Sequence, residues 1–223
     1  MDKKLEVLKS VLQYFPELID WDNITEIKEY LNEDFIIENK YIIGDYGWNA
    51  ICENCELSEN LIRECKTYVD WGAISEFQTL SEEFIYEFQD KVEWCYICAY
   101  QTLSEDAIKR LEPYIYWGTI SRYQELSEEI IEEFKDKLDW RYISIYQKLS
   151  ETFIDKHSDK VNWAYISRNQ RYLSEEFIAR HKKDVNWFYI KKFQHKVSKK
   201  FLNKYWWRIM IATDKMGGAG YFD

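Results

Sequence analysis

The chain has 223 residues, of which 46% are apolar and 18% aromatic, and its formal net charge is −10. This amount of apolar and aromatic side chain is enough for a sizeable core, so the composition predicts a folded protein and excludes a disordered one. The net charge bears on solubility and association with partners, not on the fold.

The sequence shows no sign of a membrane or secretory segment. No apolar run approaches the length of a membrane span, and the first stretch, MDKKLEVLKSVLQYF, lacks the apolar core of a secretory signal. The five cysteines are an odd number, which in a chain without a signal favours reduced thiols. We therefore expect a cytoplasmic protein with no membrane partner.

The sequence repeats itself every 23 residues. Trp occurs at this step at positions 48, 71, 94, 117, 140 and 163. Leu-Ser-Glu keeps the same step from Leu57 to Leu149, and one extra residue around Arg171 delays the next Trp to position 187. A looser copy opens at Trp21. A fixed period of this length is typical of repeat proteins.

Each copy predicts two short helices. Ser81 is a good N-cap, and Phe84 and Phe88 then continue an apolar stripe. The residue before the Trp is again a cap type, such as Asp139 or Asn162, so a second helix is expected to begin at the Trp. Helices of about 8 to 10 residues are too short to persist alone in water. Stacking of neighbouring copies must therefore supply the stability.

The copies predict an all-α solenoid of about eight short helix pairs. We expect amino-terminal capping helices at residues 1–30, the helical-repeat solenoid at residues 31–205, and a carboxy-terminal cap with a flexible tail at residues 206–223. The flexible part is predicted at residues 215–223, although an aromatic-ended tail is also able to act as a docking peptide.

The recurring aromatic and amide side chains have a structural interpretation. We expect each repeat Trp to be an apolar wedge between its own helix pair and the next one, with ligand contact as the alternative. The same packing is predicted for the later aromatics Phe77, Tyr100, Tyr123 and Tyr146. A row of glutamines should bond loop backbone of a neighbouring copy, because buried amides need partners; reading of nucleobases is the alternative. This row consists of Gln78, Gln101, Gln124, Gln147 and Gln170.

Two C-x-x-C pairs, Cys52 with Cys55 and Cys95 with Cys98, resemble parts of a zinc site. Cys52 and Cys98 occupy the repeat position of Ser75, two copies apart. Because packed helices lie about 8 to 10 Å apart, the pairs should be on the order of 20 Å from each other. We therefore predict small, half-buried cysteines and no metal.

No motif in the sequence indicates catalysis. His157 and His181 take the repeat position of Phe88, and His195 falls in a predicted loop; none of the three has a patterned carboxylate or thiol partner. The sequence contains no phosphate-binding glycine loop, nucleophile elbow or H-E-x-x-H motif. We therefore predict a non-enzymatic protein with no catalytic residues and no cofactor.

Charge is distributed unevenly along the chain. Residues 1–150 contain 15 Lys and Arg against 32 Asp and Glu, and residues 151–223 contain 15 against 8. The acidic cluster consists of Glu125, Glu128, Glu129, Glu132, Glu133 and Asp136. The lysine cluster consists of Lys182, Lys183, Lys191, Lys192, Lys196, Lys199, Lys200 and Lys204. Solubilising surface is the alternative interpretation of both clusters.

A particular repeat family is indicated by two sets of residues. They are Leu80-Ser81-Glu82-Glu83-Phe84-Ile85 with Trp94, Ile97 and Gln101, and Leu149-Ser150-Glu151-Thr152-Phe153-Ile154 with Trp163, Ile166 and Gln170. The phrase L-S-E-x-F-I followed by W-x-x-I-S-x-Y-Q resembles the 23-residue repeats of poorly characterised proteins of bacteriophages and large DNA viruses. The resemblance covers about residues 31–205. It implies a viral origin, a location in the host cytoplasm and a role as antagonist of a host factor. Departures at Gly44–Gly47, at Pro113 and at the basic end are where a particular target would be recognised.

Two binding hypotheses follow. In the first, the acidic cluster blocks a basic, nucleic-acid-binding surface of a host defence protein such as a CRISPR effector. In the second, the lysine cluster binds nucleic acid. The first is preferred at this point because the acidic arm spans most of the chain. The identity of a protein partner and the oligomeric state do not follow from the residues.

Overall fold

A computed structural model describes the backbone of residues 3–217 and the side chains of residues 3–213. All regular secondary structure in this range is helical, which confirms the all-α prediction. The α-helices are α1 (Lys3–Tyr14), α2 (Glu33–Asn39), α3 (Gly44–Asn54), α4 (Glu59–Glu64), α5 (Trp71–Phe77), α6 (Glu82–Glu87), α7 (Trp94–Tyr100), α8 (Glu105–Arg110), α9 (Trp117–Tyr123), α10 (Glu128–Glu133), α11 (Trp140–Tyr146), α12 (Glu151–Lys156), α13 (Trp163–Asn169), α14 (Glu175–Arg180), α15 (Trp187–Phe193), α16 (Lys199–Lys204) and α17 (Trp206–Gly217). Short 3-10 helices are Pro16–Leu18, Trp21–Glu26, Lys28–Tyr30 and Glu112–Tyr114.

Side-chain caps start the helices where the sequence predicts. The Ser81 Oγ accepts the Phe84 amide at 3.1 Å before α6, and the Asp139 carboxylate accepts the Arg141 amide at 2.8 Å before α11. The helices are shorter than predicted, at six residues for α6 and seven for α11. In this copy the first helix, α6, ends at Glu87. The next residue, Phe88, is no longer helical, with φ of −111° and ψ of 28°.

The helices form an all-α solenoid, and they group into two compact units, Met1–Tyr116 and Trp117–Asp223. In the first unit, α3 packs on α5 and α5 on α7. In the second unit, α9 packs on α11, and the series continues through α13 and α15 to α17. The first unit contains three complete helix pairs and ends with α8, whereas the second begins with α9 and contains four. The predicted domain limits at residues 30 and 205 stay predictions.

The amino-terminal segment is attached through residues 44–47, part of the stretch 41–47 in which this copy carries a three-residue insertion. Gly44 has a φ of 71°, a conformation that side chains with a Cβ rarely adopt. A Cβ on Gly47 would lie 2.7 Å from the ring of Trp21, so only glycine permits this close approach. Tyr46 donates a hydrogen bond to Asp22. The insertion, expected to mark target recognition, thus has an internal packing role.

The repeat Trp fills the space between copies, as predicted. In the second unit, the Trp140 ring lies 4.9 Å from the ring of His157 and 6.4 Å from that of Phe153, both in the next copy. Its indole N–H donates to the Lys135 carbonyl at 2.8 Å. Trp48 reaches the Lys40 carbonyl instead, at 3.3 Å, because the insertion adds three residues between donor and acceptor.

Within each unit, the glutamine row ties a copy to the preceding one, as the structural interpretation predicts. Gln147 accepts the Leu126 amide at 3.0 Å and donates to the carbonyls of Ser121 at 3.1 Å and Gln124 at 2.8 Å. These carbonyls belong to the end of α9 and the residue after it, where a helix has unsatisfied acceptors. Gln194, which was not included in the predicted row, makes the same three bonds.

No helix among the described residues is both long and apolar enough to cross a membrane. The predicted flexible tail at residues 215–223 overlaps α17 up to Gly217. Its last six positions, 218–223, lie outside the described residues.

Candidate polyanion-binding surfaces

The acidic cluster lies on α10 and in the segments that flank this helix. Glu128 caps the next copy: its carboxylate accepts the Ser150 amide at 2.5 Å and the Ser150 hydroxyl at 3.0 Å. Asp136 pairs with Lys160 at 2.9 Å, and Glu125 with Lys148 at 3.1 Å. Much of the cluster is therefore engaged by neighbouring groups of the same unit.

Glu132 is the most strongly engaged member of the acidic cluster. Lys156 and Lys135 each lie 2.9 Å from its carboxylate, and the ring of His157 lies at 2.7 Å. Hydrogen bonds from these partners, that of Lys156 first, lower the pKa of Glu132 to about 2. Glu132 therefore links α10 to α12 in addition to contributing surface charge.

The lysine cluster differs in its pairing. All eight of its lysines are exposed, and none forms an ion pair within the part of the chain that the structure describes. Several lie beside aromatic rings instead: the Lys192 ammonium is 5.2 Å from the centre of the Phe193 ring, and that of Lys196 is 5.1 Å from the centre of the Tyr172 ring. Trp206 and Trp207 on α17 are 57% and 46% exposed. The cluster thus consists of exposed cations without ion pairs, some of which lie beside aromatic rings.

A second cationic surface lies on the layer of second helices in the Trp117–Asp223 unit. The helices α9, α11, α13 and α15 contain no Asp or Glu, and their five basic residues are three Arg and two members of the lysine cluster, Lys191 and Lys192. We call its exposed and half-buried part the tyrosine–arginine surface, which comprises Arg122, Tyr123, Arg141, Tyr146, Tyr165 and Arg168. Sequence reasoning missed this surface because charge was counted along the chain. A count by position within the repeat would have found it.

Contacts between copies order the tyrosine–arginine surface. The Arg122 guanidinium lies 4.9 Å from the centre of the Tyr123 ring and 5.9 Å from that of Tyr146 in the next copy. Arg141 donates a hydrogen bond of 3.3 Å to the Tyr165 hydroxyl, one copy further. None of the three arginines has a carboxylate partner among the residues described.

The predicted core packing of the later aromatics is wrong. Phe77 and Tyr100 are 52% and 59% exposed in the first unit, and Tyr123 and Tyr146 are 52% and 50% exposed in the second. These side chains lie near the carboxy-terminal end of the second helix of each copy. They are outside the buried face of that helix, which contains Ile74 in α5 and Ile143 in α11. They therefore form an exposed aromatic row in each unit.

The cysteines and histidines have packing roles. Cys98 replaces the repeat serine, and its Sγ accepts the Tyr116 amide at 3.5 Å, as the Ser144 Oγ accepts that of Asn162 at 2.9 Å. Burial raises the pKa of Cys98 to about 11 and that of Cys52 to about 12. The ring of His181 packs at a tilt on that of Trp163, with 4.5 Å between ring centres. Among the side chains that the structure describes, residues 3–213, no group of three or more His, Cys, Asp or Glu could hold a metal ion.

No protein-family model, curated protein or solved structure matches this chain.

Proposed function

We propose that this chain is a non-enzymatic macromolecule-binding repeat protein whose lysine cluster binds nucleic acid. The observation that carries the proposal is the pairing of charge in the Trp117–Asp223 unit. The eight clustered lysines lack carboxylate partners among the described residues, whereas four of the six acidic-cluster carboxylates bind cations or a helix cap of the next copy. An unpaired exposed cation keeps its full charge for a phosphate.

Aromatic side chains within the lysine cluster support nucleic acid as the polyanion. Trp206 and Trp207 are exposed beside it, and the Arg208 guanidinium lies 4.6 Å from the centre of the Trp207 ring. Nucleic-acid surfaces combine cations for the phosphates with aromatic rings for the bases.

A matched pair of charge reversals tests the proposal. Lys199 follows the cap Ser198 where the other copies carry Glu, and Lys200 takes a position that is Glu in three of them, at residues 83, 129 and 176. Lys199→Glu with Lys200→Glu therefore follows the repeat pattern and suits the start of α16. The control is Glu125→Lys with Glu129→Lys, which reverses two exposed charges, breaks the exposed ion pair of Glu125 with Lys148, and leaves the bonds of Glu128 and Glu132 in place.

Binding is measured by fluorescence anisotropy of labelled single- and double-stranded oligonucleotides between about 50 and 200 mM salt. We expect wild-type affinity to fall steeply with salt. Lys199→Glu with Lys200→Glu should bind more weakly. The slope of its log affinity against log salt concentration should be smaller by about 1.4 for single strands and about 1.8 for duplex. The glutamate variant should keep or gain affinity. Absence of wild-type binding at the lowest salt, or full binding by the lysine variant, would refute the proposal.

The acidic cluster is a second candidate site. Glu129 is exposed, and the side chains of Glu125 and Asp136 stay 86% and 77% exposed within their ion pairs with Lys148 and Lys160, so part of the cluster is accessible to a basic partner. Together with the resemblance to phage and viral repeats, this supports a viral antagonist in the host cytoplasm that blocks a nucleic-acid-binding surface of a defence protein such as a CRISPR effector. One result favours this candidate. Wild type and Lys199→Glu with Lys200→Glu capture an identified nucleic-acid-binding protein in a salt-sensitive way, and Glu125→Lys with Glu129→Lys does not.

A further inference from the structure

The tyrosine–arginine surface presents flat rings and unpaired guanidiniums in one continuous layer. Tyr123 and Tyr146 are each about half exposed, and Arg122 lies against both rings. In the next step of the layer, Arg141 reaches Tyr165 and Arg168 lies 5.9 Å from the centre of the Tyr189 ring. In the copies that contain α9, α11 and α13, an arginine therefore lies beside an aromatic ring of the next copy.

We infer that this surface binds single-stranded nucleic acid, with bases stacked on the tyrosines and arginines and phosphates bound by the free guanidinium N–H groups. The inference rests on the proposed function and extends it from the lysine cluster to the layer formed by α9, α11, α13 and α15. Aromatic rings and guanidinium planes both stack bases, and a guanidinium also binds a phosphate.

A single strand fits these groups better than a duplex does. In a duplex the base faces are stacked on one another, so exposed rings gain nothing beyond the phosphate contacts. An unpaired strand exposes every base face, and stacking on aromatic side chains tolerates any sequence. An acidic peptide would pair with the arginines but would leave the rings of Tyr123 and Tyr146 without a stacking partner.

The spacing of the repeat also suits an extended strand. Packed helices lie about 8 to 10 Å apart, and helical-repeat proteins that bind single-stranded RNA place one base on each repeat. The surface runs over α9, α11 and α13, and Tyr189 extends it to α15. It therefore offers positions for about three to four bases.

The test removes the rings and leaves the charges. Tyr123→Ser with Tyr146→Ser deletes two exposed rings, and Tyr123→Phe with Tyr146→Phe keeps them. The matched control is Phe77→Ser with Tyr100→Ser in the first unit, at the same repeat position and with similar exposure but beside Glu76 and no arginine. Circular dichroism checks that every variant keeps the wild-type helix content.

Anisotropy is measured with 12-nucleotide oligo(dT) and oligo(rU), with a 12-base-pair duplex, and with poly-glutamate as competitor. We expect the Tyr→Ser variant to bind both single strands about tenfold or more weakly, with an unchanged salt slope. The Tyr→Phe variant and the Phe77 and Tyr100 control should match wild type. Duplex binding should change little, and poly-glutamate should compete poorly.

Other outcomes separate the two claims. If the Tyr→Ser variant binds single strands as well as wild type while Lys199→Glu with Lys200→Glu is impaired, the inference is wrong and the proposed function stands. If poly-glutamate competes as well as oligo(dT), or if the Tyr→Ser variant weakens duplex and single strand equally, the surface responds to charge alone and stacking is refuted. If wild type binds no nucleic acid, both claims are wrong.

Discussion

Gln147 offers a direct test of what holds the copies together. Its side chain is 4% exposed and makes three bonds to the preceding copy: with the Leu126 amide and with the carbonyls of Ser121 and Gln124. Gln147→Leu removes all three and places an apolar group against polar backbone. Each buried polar group that loses its partner costs about 1–3 kcal/mol, so we expect destabilisation of about 3 kcal/mol or more.

Thermal unfolding followed by circular dichroism at 222 nm gives the measurement. For a chain of this size, 3 kcal/mol corresponds to a decrease in Tm of about 6 to 12 °C. The isosteric variant Gln147→Glu separates hydrogen bonding from volume, because a carboxylate cannot donate to the two carbonyls. Burial raises the pKa of such a carboxyl, so its destabilisation should be smallest below about pH 4 and grow as the pH rises.

Gln170 is the matched control. It lies before the extra residue near Tyr172, is half-buried, and makes two such bonds, with the Leu149 amide and the Gln147 carbonyl. Gln170→Leu should therefore lower the free energy of unfolding less than Gln147→Leu does, because fewer polar groups lose their hydrogen-bond partner and water reaches those that do. Equal Tm values for wild type and Gln147→Glu at pH 7 would refute the assigned role of the glutamine row.

Three further predictions concern packing and titration. Trp140→Ala should lower the free energy of unfolding by about 3 kcal/mol or more in urea denaturation; an unchanged midpoint with lost binding would make the Trp row a ligand surface. Among the five thiols, Cys95 alone is exposed, so a disulfide reagent at pH 8 should react with one thiol rapidly and with the rest only after unfolding; a second fast thiol would contradict the packing. The pKa of Glu132 is lowered to about 2, so the stabilisation that its ion pairs give the folded state is complete above about pH 4.3 and is lost as the pH falls towards 2. NMR of the carboxyl group should show this low titration midpoint. A midpoint above pH 4 would contradict the bonds with Lys156 and Lys135.

The elements that sequence reasoning predicted well are governed by local chemistry. Ser81 and Asp139 cap helices because their oxygens accept amides two or three residues later, an effect contained within one copy. The role of Gln147 was also predictable, since a polar side chain repeated in phase with a buried face needs a fixed partner.

The errors concern relations between copies. The partners of Glu132 include His157, 25 residues away in the next copy, so a count of charges along the chain could not show that the carboxylate is already engaged. The exposure of Tyr123 and Tyr146 was missed because aromatic character alone does not say which side of a seven-residue helix faces solvent. The close approach of Gly47 to Trp21 was not predicted, because it depends on how the amino-terminal segment packs.

Photo-crosslinking tests the central claim most directly. A 12-nucleotide single strand with 5-iodouracil at one position is irradiated with wild-type protein, and the linked peptides are identified by mass spectrometry. We predict links to Tyr123 and Tyr146 and to peptides that carry Trp206 or the lysine cluster. Links confined to α10 and α12, which carry the acidic cluster and its partners, or an absence of specific links at low salt, would contradict the claim.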